Sequence, residues 1–352
     1  MSSILNLTLL NLPSTNQNEA SIEYFVNTPL FTFLVITVPC TLIGLIDFAV
    51  NLINVSVFAA QGLNHPVEIS LFTIAASDMI KVIFIMFDNL CTNSYADIMG
   101  TPLKLDEVFF VAGSFPLGCV SRITLHVTIY VTAERCLCIL LPLQVKRIVT
   151  KNVTIICVSM IVALNLLALY PVYVTYFLAW NFYPYLNKTL LGFSVATYDP
   201  VTFAMTYFLH VILVVVGLFF LVISTSVLVW QLSRKTKWRM SHTSALDAHK
   251  VAIQSRDKKS MKMVVIVAIS FAIGFTPLVV TILLAYYVPE FSFGGPLDAL
   301  FHHLYSISLF SMSVNSSTNI IIFYKMSRKY RDKFKQIISL NVHRKSKIIE
   351  DI

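Results

Sequence analysis

The sequence predicts an all-α membrane protein, a bundle of seven transmembrane helices followed by a short amphipathic eighth helix. Three observations predict this fold: seven long apolar stretches, a composition that is 57% hydrophobic and 12% charged, and basic residues gathered on one side of the predicted membrane. A helix needs about 20 apolar residues to cross the hydrocarbon core. The backbone there must be helical because lipid offers no hydrogen-bond partners, so the sequence excludes a soluble globular protein.

The apolar stretches follow one another with mostly short connections. The longest inner connection joins the fifth and sixth helices, which are both expected to extend beyond the bilayer. The stretches lie at residues 30–60, 67–91, 107–140, 152–178, 201–232, 260–288 and 297–324. We therefore divide the chain into an N-terminal tail (1–28), a seven-helix domain (29–325) and a C-terminal amphipathic helix with a basic tail (326–352).

The C-terminal segment carries an apolar stripe within a basic sequence. Met326, Tyr330 and Phe334 are spaced by four residues, which places them on one face of a helix lying in the membrane interface. The last dozen residues of the chain are expected to be disordered.

The net charge of +8 is unevenly distributed. Nine of the 26 Lys and Arg residues lie in 234–262 and nine more in 325–347, whereas the opposite side carries only Lys104 and Lys188. Positive charge favours the cytoplasmic side, so the amino terminus is expected outside the cell and the carboxyl terminus inside. Contacts with anionic membrane lipids then account for the basic residues. This distribution argues against a nucleic-acid partner and predicts a multi-pass membrane protein.

The predicted outer surface has glycosylation sequons but no cysteine framework. Asn6 and Asn187 each begin an N-x-S/T sequon outside the membrane, where glycosylation occurs. All six cysteines lie in or at the edge of predicted helices, so they are expected to be free thiols.

Short motifs occur in the order and at the helix positions of a known family. The third helix ends with Glu134-Arg135-Cys136. The other motifs are Asn51 in helix one, Ser70 to Asp78 in helix two, Pro142-Leu143 after helix three, Phe271 to Pro277 in helix six and Asn315 to Phe323 in helix seven. Together they make the chain resemble the rhodopsin-like (class A) G-protein-coupled receptors. The sequence around Ser121-Arg122 and Glu134 is most similar to molluscan chemosensory receptors, a group itself similar to invertebrate neuropeptide receptors.

The resemblance implies a receptor and not an enzyme. Such a protein binds an extracellular small molecule or peptide and activates a heterotrimeric G protein. A chemosensory ligand is the leading hypothesis, and a neuropeptide is the alternative within the same fold. An opsin is disfavoured because residues 297–324 contain no lysine for a chromophore. A transporter or channel is the alternative from another class. Its basis is a set of charged residues that can form a pathway, Lys81, Asp88, Arg122 and Asp78.

The resemblance assigns G-protein coupling to the inner end of the bundle. Arg135 can pair with Glu134 beside it or with Asp257 at the foot of helix six, and release of such a link opens a cleft for the G protein. Pro277 kinks helix six, so that an aromatic residue beside it reports ligand binding. The coupling residues are Glu134, Arg135, Cys136, Pro142, Leu143, Asp257, Asn319 and Phe323, and the aromatic toggle comprises Phe271, Phe275 and Pro277.

A polar chamber is expected in the middle of the bundle. A buried carboxylate such as Asp78 is costly in lipid and usually functional. The resemblance implies that the chamber holds sodium or water and is lined by Asn51, Asp78, Thr124, Asn315, Ser316 and Asn319. Lys81, one turn from Asp78, can neutralise it or pair with Asp47 instead. A hydrogen-bond network without an ion is therefore an equal alternative, and no other metal or cofactor is expected.

A ligand pocket is expected between the outer halves of the helices. Its candidate residues are Asp88, Leu117, Ser121, Arg122, His302 and Tyr305. Arg122 needs an anion inside the membrane, either Asp88 or the carboxylate or phosphate of a ligand, and a salt bridge to Asp88 is the simpler alternative. His126 and His210 are expected to be hydrogen-bonded core histidines.

The chain also departs from the family pattern. Phe110 stands at the outer end of helix three where the family has a cysteine, and the second outer loop has none either. The disulfide usual in the family is therefore absent, which leaves open how this loop is held. Helix seven has Ile320 and Phe323 in place of the family's proline and tyrosine.

Overall fold

The computed structural model describes residues 30, 33–93, 100–141, 144–184, 186–196, 199–241, 248–291 and 295–350. It describes their side chains as well, except those of residues 146, 235–258 and 340–350. Within these residues, seven long helices form a bundle and an eighth follows them, which confirms the predicted fold class. Their bounds are α1 Val38–Gln61, α2 Pro66–Cys91, α3 Leu105–Leu140, α4 Lys151–Thr175, α5 Pro200–Ser241, α6 Ala248–Tyr287, α7 Asp298–Met326 and α8 Arg328–Glu350.

Among the described residues, π-helical turns occur within two of these helices and directly before a third. Phe33–Thr37 precedes α1, Phe110–Ser114 lies in the outer part of α3, and Phe208–Ile212 lies in the outer part of α5. A π-helical turn widens a helix locally and is frequent at functional sites. Two of these turns flank the region where the candidate ligand site is built.

Helices α1 to α6 are long and apolar enough to cross a membrane by length and composition. Their outward faces carry large apolar side chains, such as Ile273 at 69% exposure and Phe219 at 65%. Exposed apolar surface of this extent marks contact with lipid. Helix α7 has the length but is more polar, because nine Ser, Thr and Asn residues lie between 306 and 319. Several of these residues face the interior, where they build the polar centre.

A β hairpin on the outer side was not predicted. Strand β1 (Tyr176–Tyr183) pairs antiparallel with β2 (Lys188–Val195), with Tyr176 opposite Val195 and Tyr183 opposite Lys188. The fourth helix therefore ends at Thr175, three residues before its predicted end, because the chain becomes extended at Tyr176. Asn187 lies exposed in the turn with a φ of 50°, a conformation that asparagine tolerates well. Its glycosylation stays a prediction.

Helix α8 is longer than predicted. It continues to Glu350, so the expected disorder after residue 340 is wrong for residues 341–350. Tyr330, predicted on its apolar stripe, is fully buried, and its ring lies 5.3 Å from Phe58 and 5.7 Å from Phe323. Lys329 of α8 also forms a 2.5 Å ion pair with Glu68 of α2. These contacts hold α8 against the inner end of the bundle.

Candidate functional site

The inner end of α3 carries an ion pair that uses only part of its hydrogen-bonding capacity. Arg135 Nη2 donates to Glu134 Oε1, and the Glu134 side chain is 2% exposed. Glu134 Oε2 and Arg135 Nε are both buried and have no hydrogen-bond partner among the described residues. The pair is therefore neutral as a whole but keeps one acceptor and one donor available for a partner. The side chain of Asp257, the other predicted partner, lies outside the described residues.

The polar centre contains a buried ion pair between neighbouring turns of α2. Lys81 Nζ lies 2.6 Å from Asp78 Oδ1, and both residues are 1% exposed. Thr124 donates to Asp78 Oδ1 at 3.5 Å and Asn319 donates to Oδ2 at 3.2 Å. Of the two partners predicted for Lys81, the structure selects Asp78. Because an ammonium group already neutralises this carboxylate, the residues present do not fit a sodium ion well.

A second polar chain runs down α1 and links α7 to α8. Ser316 of α7 donates to Asp47 at 2.6 Å, and Asp47 accepts from Asn51 at 2.7 Å. Asn51 in turn accepts from Asn54 at 3.2 Å, and Asn54 accepts from the Tyr330 hydroxyl of α8 at 2.6 Å. Burial raises the pKa of Tyr330, so its hydroxyl stays a donor. The predicted chamber is thus divided, since Asn51 and Ser316 bind Asp47 instead of Asp78.

Helices α6 and α7 approach closely beside the aromatic toggle. Phe271 and Phe275 are buried and stack with ring centroids 5.2 Å apart. Pro277 lies inside α6, where it removes a backbone hydrogen bond. A Cβ on Gly274 would lie 2.7 Å from Asn315 Cβ, so only glycine permits this approach. The side-chain oxygen of Asn315 is buried without a partner among the described residues, and no hydrogen bond joins it to Asp78.

A carboxylate on α3 holds the outer hairpin where the family has a disulfide. Glu107 Oε2 accepts from the Tyr183 hydroxyl at 2.5 Å and from the Phe193 backbone N–H at 2.9 Å, so it binds both strands. A Cβ on Gly192 would overlap the Tyr183 hydroxyl and this carboxylate, so any other residue there would displace the two hydrogen-bonded groups. All six cysteines are free. Glu107 thus performs by hydrogen bonding what the disulfide does covalently.

Arg122 lies buried between α3, α4 and α5, and its partners are neutral. Its Nε donates to Asn165 Oδ1 at 3.3 Å, and its Nη1 lies 2.7 Å from His210 Nδ1. Its Nη2 is buried with no hydrogen-bond partner in the described part of the chain. Arg122 is 2% exposed. The predicted salt bridge to Asp88 is wrong, because Arg122 bonds to α4 and α5 while Asp88 lies on α2.

Aromatic rings connect this arginine cluster to the hairpin. The Phe115 ring lies 5.9 Å from His210 and stacks on Tyr176 of β1 at 5.6 Å. Phe110 lies 5.7 Å from Tyr176 and 5.5 Å from Phe193 of β2. The hairpin that Glu107 holds is therefore packed, ring against ring, down to the arginine cluster.

The sequence of this chain is similar to those of known proteins. The family model described as serpentine type 7TM GPCR chemoreceptor Srw matches residues 39–341. The chain belongs to this family. It is also 24% identical to neuromedin-U receptor 2 of Rattus norvegicus over 323 residues, which cover 87% of this chain and 75% of that protein. It is 24% identical to neuromedin-U receptor 2 of Homo sapiens over 319 residues, or 87% and 71% of the two chains. The protein is a G-protein-coupled receptor, as its motifs predicted.

The predicted ligand residues of this receptor do not form one pocket. Asp88 is 2% exposed, and its Oδ2 has no hydrogen-bond partner within the described residues. His302 and Tyr305 of α7 lie within electrostatic reach of Asp88, and His302 lies 3.4 Å from Asp298. These groups form an acidic side of the receptor's outer half, between α2 and α7. Arg122 forms a basic side between α3, α4 and α5.

Two further ligand candidates lie in the core of the receptor. Leu117 is 1% exposed and packs in the main apolar cluster with Leu309 of α7. The Ser121 hydroxyl donates to the Leu117 carbonyl at 2.8 Å, and this bond within the helix occupies its hydrogen. Neither side chain carries a charge, in contrast to Asp88 and Arg122, which are buried and each leave one polar atom without a partner among the described residues.

The remaining coupling candidates serve the packing of the receptor's inner half. Cys136 Sγ donates to the Ser224 carbonyl of α5 at 3.7 Å. Phe323 is 1% exposed, and its ring lies 5.1 Å from Phe58 of α1. Three predicted residues, Asn6, Pro142 and Leu143, lie outside the described residues.

Sequence reasoning missed two residues that the structure makes important, Glu107, which holds the hairpin, and Asn165, which holds Arg122. It predicted His210 as a hydrogen-bonded core histidine, which the structure confirms, but not as a partner of Arg122. An acid near the outer end of a helix that lacks the family cysteine was a usable signal for Glu107. For His210 the signal was a histidine in the outer part of α5, although the sequence could not indicate that it faces α3.

Proposed function

We propose that this receptor lies in the plasma membrane with its amino terminus outside, binds an extracellular chemical in its outer half and activates a heterotrimeric G protein at its inner end. The gathering of Lys and Arg in 234–262 and 325–347 supports this orientation. The single observation that carries the coupling proposal is the Glu134–Arg135 pair at the inner end of α3, in which one donor and one acceptor have no partner among the described residues.

Helix α3 supplies a continuous path between the two ends. Its outer part holds the hairpin through Glu107 and carries Arg122, and its inner end carries Arg135. A ligand that binds one arrangement of the helices better than another shifts the population towards it. In the active arrangement Arg135 leaves Glu134, and the guanidinium and the carboxylate then contact the G protein. The kink at Pro277 lets the inner half of α6 move away from α3 to admit it.

A chemosensory ligand is the first candidate, and the family model of chemoreceptors supports it. A neuropeptide is the second candidate, and it rests on the similarity to neuromedin-U receptor 2. The two are separated by exposing cells that carry the receptor to water-borne odorants and to peptide libraries, with a promiscuous G protein as the reporter. A sodium ion at Asp78 is not part of the proposal, because Lys81 neutralises that carboxylate.

The coupling is tested with purified receptor and Gα, using whichever agonist the screen finds. We expect the agonist to accelerate GDP release, and Arg135→Ala to abolish this acceleration while agonist binding is kept. The matched control is Arg328→Ala, which removes an inner-side arginine whose side chain is 88% exposed. An agonist that binds but accelerates GDP release from no Gα would refute the proposal, as would an undiminished response in Arg135→Ala.

A further inference from the structure

A cavity opens at the corner between the inner end of α1 and the first turns of α8. Its volume is about 410 Å³, within the range of about 300–1,000 Å³ that is usual for small-molecule sites. Four of its lining residues follow one face of α8, at positions i, i+3, i+4 and i+7, and the other two end α1. These residues are Lys329, Asp332, Lys333, Gln336, Ala60 and Gln61.

Lys333 brings a positive charge to this cavity that no described residue neutralises. Its Nζ donates to the neutral amide oxygen of Gln336 at 3.0 Å, and the ion pairs among the described residues do not include it. The other charged lining residues have counter-ions. Lys329 lies 2.5 Å from Glu68, and Asp332 lies 3.9 Å from Arg328. The lining therefore carries one uncompensated positive charge.

The last residue of α1 adds a neutral donor to the same cavity. Gln61 Nε2 is buried and has no hydrogen-bond partner among the described residues, and an amide nitrogen can only donate. A group with acceptor oxygens would satisfy this nitrogen, and a negative charge would neutralise Lys333. A phosphate group provides both, because its oxygens are strong acceptors and carry the negative charge.

An exposed stripe of α1 leads from this cavity into the bilayer. Its residues follow one another at alternating spacings of four and three, which keeps them on one face of the helix. All of them are exposed, and all but Ser56 are apolar: Leu42, Ile46, Ala49, Ile53, Ser56 and Ala60. Because Ala60 also lines the cavity, a molecule with a phosphate in the cavity can lay an apolar chain along this stripe.

We propose that the α1–α8 cavity binds the phosphorylated headgroup of an anionic phospholipid of the inner leaflet, with an acyl chain along the exposed stripe of α1. The proposal goes beyond the proposed function and takes from it only that α8 lies on the inner side. Basic pockets on the cytoplasmic side of a helix bundle suit such headgroups. A phosphate monoester carries a charge of about −1.5 to −2, so a phosphoinositide should bind more tightly than phosphatidylserine. The bound lipid joins α1 to α8.

The test uses the full-length purified receptor in a neutral detergent, without agonist or G protein. Phosphatidylinositol bisphosphate, phosphatidylserine and phosphatidylcholine with the same acyl chains are titrated, and native mass spectrometry measures the fraction of receptor that carries one lipid. We expect saturable binding that is tightest for the phosphoinositide and weakest for phosphatidylcholine. Equal binding of phosphatidylcholine and the phosphoinositide would overturn the proposal, because the headgroup phosphate monoester would then have no role.

Two matched pairs of variants locate the site. Lys333→Gln should weaken phosphoinositide binding about tenfold, as expected for the loss of a hydrogen bond between charged groups. Lys335→Gln removes an exposed lysine of the same helix outside the cavity and should keep the binding. Ala60→Phe fills the cavity without a change of charge and should also weaken binding. Ala59→Phe adds the same ring at an exposed position that does not line the cavity, so binding should persist.

Equal weakening by Lys333→Gln and Lys335→Gln would overturn the proposal, because it would indicate diffuse attraction to the basic side of α8. Undiminished binding in Ala60→Phe would overturn it as well. A competition with inositol trisphosphate, the soluble headgroup, separates the two sources of phosphate. We expect it to displace the lipid poorly because it has no acyl chain, and displacement at equal concentration would assign the cavity to a free phosphate compound and refute the lipid.

The lipid site and the proposed function can fail separately. If the phosphoinositide does not bind while an agonist accelerates GDP release from Gα, only the lipid site is refuted. If the lipid binds through Lys333 and no Gα responds to any agonist, the site stands and the coupling proposal falls.

Discussion

Arg122 and Arg135 lie thirteen residues apart on α3 in opposite electrostatic surroundings. Arg135, near the inner end, has the carboxylate of Glu134 as its partner, whereas Arg122, in the outer half, has an amide and a neutral imidazole. Among the described residues, the inner charge has a counter-ion and the outer one has none. One helix thus carries two different arginines. A binding partner has to separate Arg135 from Glu134, whereas a binding partner has to supply the counter-ion of Arg122.

The difference teaches how to distinguish structural from functional charge in a membrane bundle. Pairing lowers the free-energy cost of burying a charge and stabilises one arrangement of the helices. Removal of one member therefore leaves the other member buried without its counter-ion. An unpaired charge raises the energy of the empty protein, so its removal relieves a cost. Substitutions at the two kinds of site should therefore change stability in opposite directions.

The largest effect is expected at Lys81, a buried cation that is paired. Lys81→Met leaves Asp78 buried without its 2.6 Å partner, and breaking a buried pair in this way costs about 3–5 kcal/mol. The thermal unfolding midpoint of the purified receptor should fall strongly. The double variant Asp78→Asn with Lys81→Met should recover most of the loss, and a double variant as unstable as the single one would contradict the electrostatic explanation.

A smaller effect of opposite sign is expected at Arg122. Arg122→Gln removes an uncompensated buried charge and should stabilise the ligand-free receptor by about 1–3 kcal/mol. The same substitution at the paired site, Arg135→Gln, should destabilise it, because Glu134 then loses its counter-ion. The comparison of the two midpoints is the measurement. If both substitutions destabilise, Arg122 has a counter-ion within the protein and the contrast is lost.

The smallest effect is expected at the hairpin above Arg122. Glu107→Gln weakens two hydrogen bonds to a charged acceptor, which should cost about 1–2 kcal/mol locally. Hydrogen exchange of the Phe193 amide should accelerate about five- to thirtyfold, since 1.4 kcal/mol is tenfold. The matched control is Asp106→Asn, which removes a neighbouring acid paired with Lys104 at 3.3 Å and leaves both hairpin bonds. Unchanged exchange in Glu107→Gln would mean that the strands are held without this carboxylate.

The sequence predicted the helices and their order because hydropathy over some 20 residues is a local signal. It also located Arg135 and Asp78, since these positions lie in motifs of fixed spacing. It did not predict the hairpin, which depends on the hydrogen bonds that Tyr183 and Phe193 donate to Glu107. These two residues lie 76 and 86 positions after Glu107 in the chain. Hydropathy alone continued the fourth helix into strand β1, because residues 176–178 are as apolar as the helix before them.

The partner of Arg122 could not be predicted because it depends on the rotation of α3 about its axis. The sequence placed Asp88 at a similar depth in the membrane, but depth does not specify which neighbour a side chain faces. The observed partners lie on α4 and α5, and Asn165 and His210 carry no charge pattern that points to an arginine. Helical extent after residue 340 was missed for another reason, since a basic sequence with few apolar residues is typical of disorder.

The hydrogen-bonded chain from Ser316 through α1 to Tyr330 has a consequence for observing this molecule. Displacement of α7 at Ser316 would disturb Asp47, Asn51 and Asn54 in turn. It would thereby weaken the hydrogen bond that the Tyr330 hydroxyl donates to Asn54. The angle of α8 against the lipid headgroups is thereby tied to the interior of the bundle. A fluorophore on the exposed face of α8 would thus report movement of α7 inside the bundle. Such a measurement can be made in the membranes of living cells and needs no knowledge of the natural ligand.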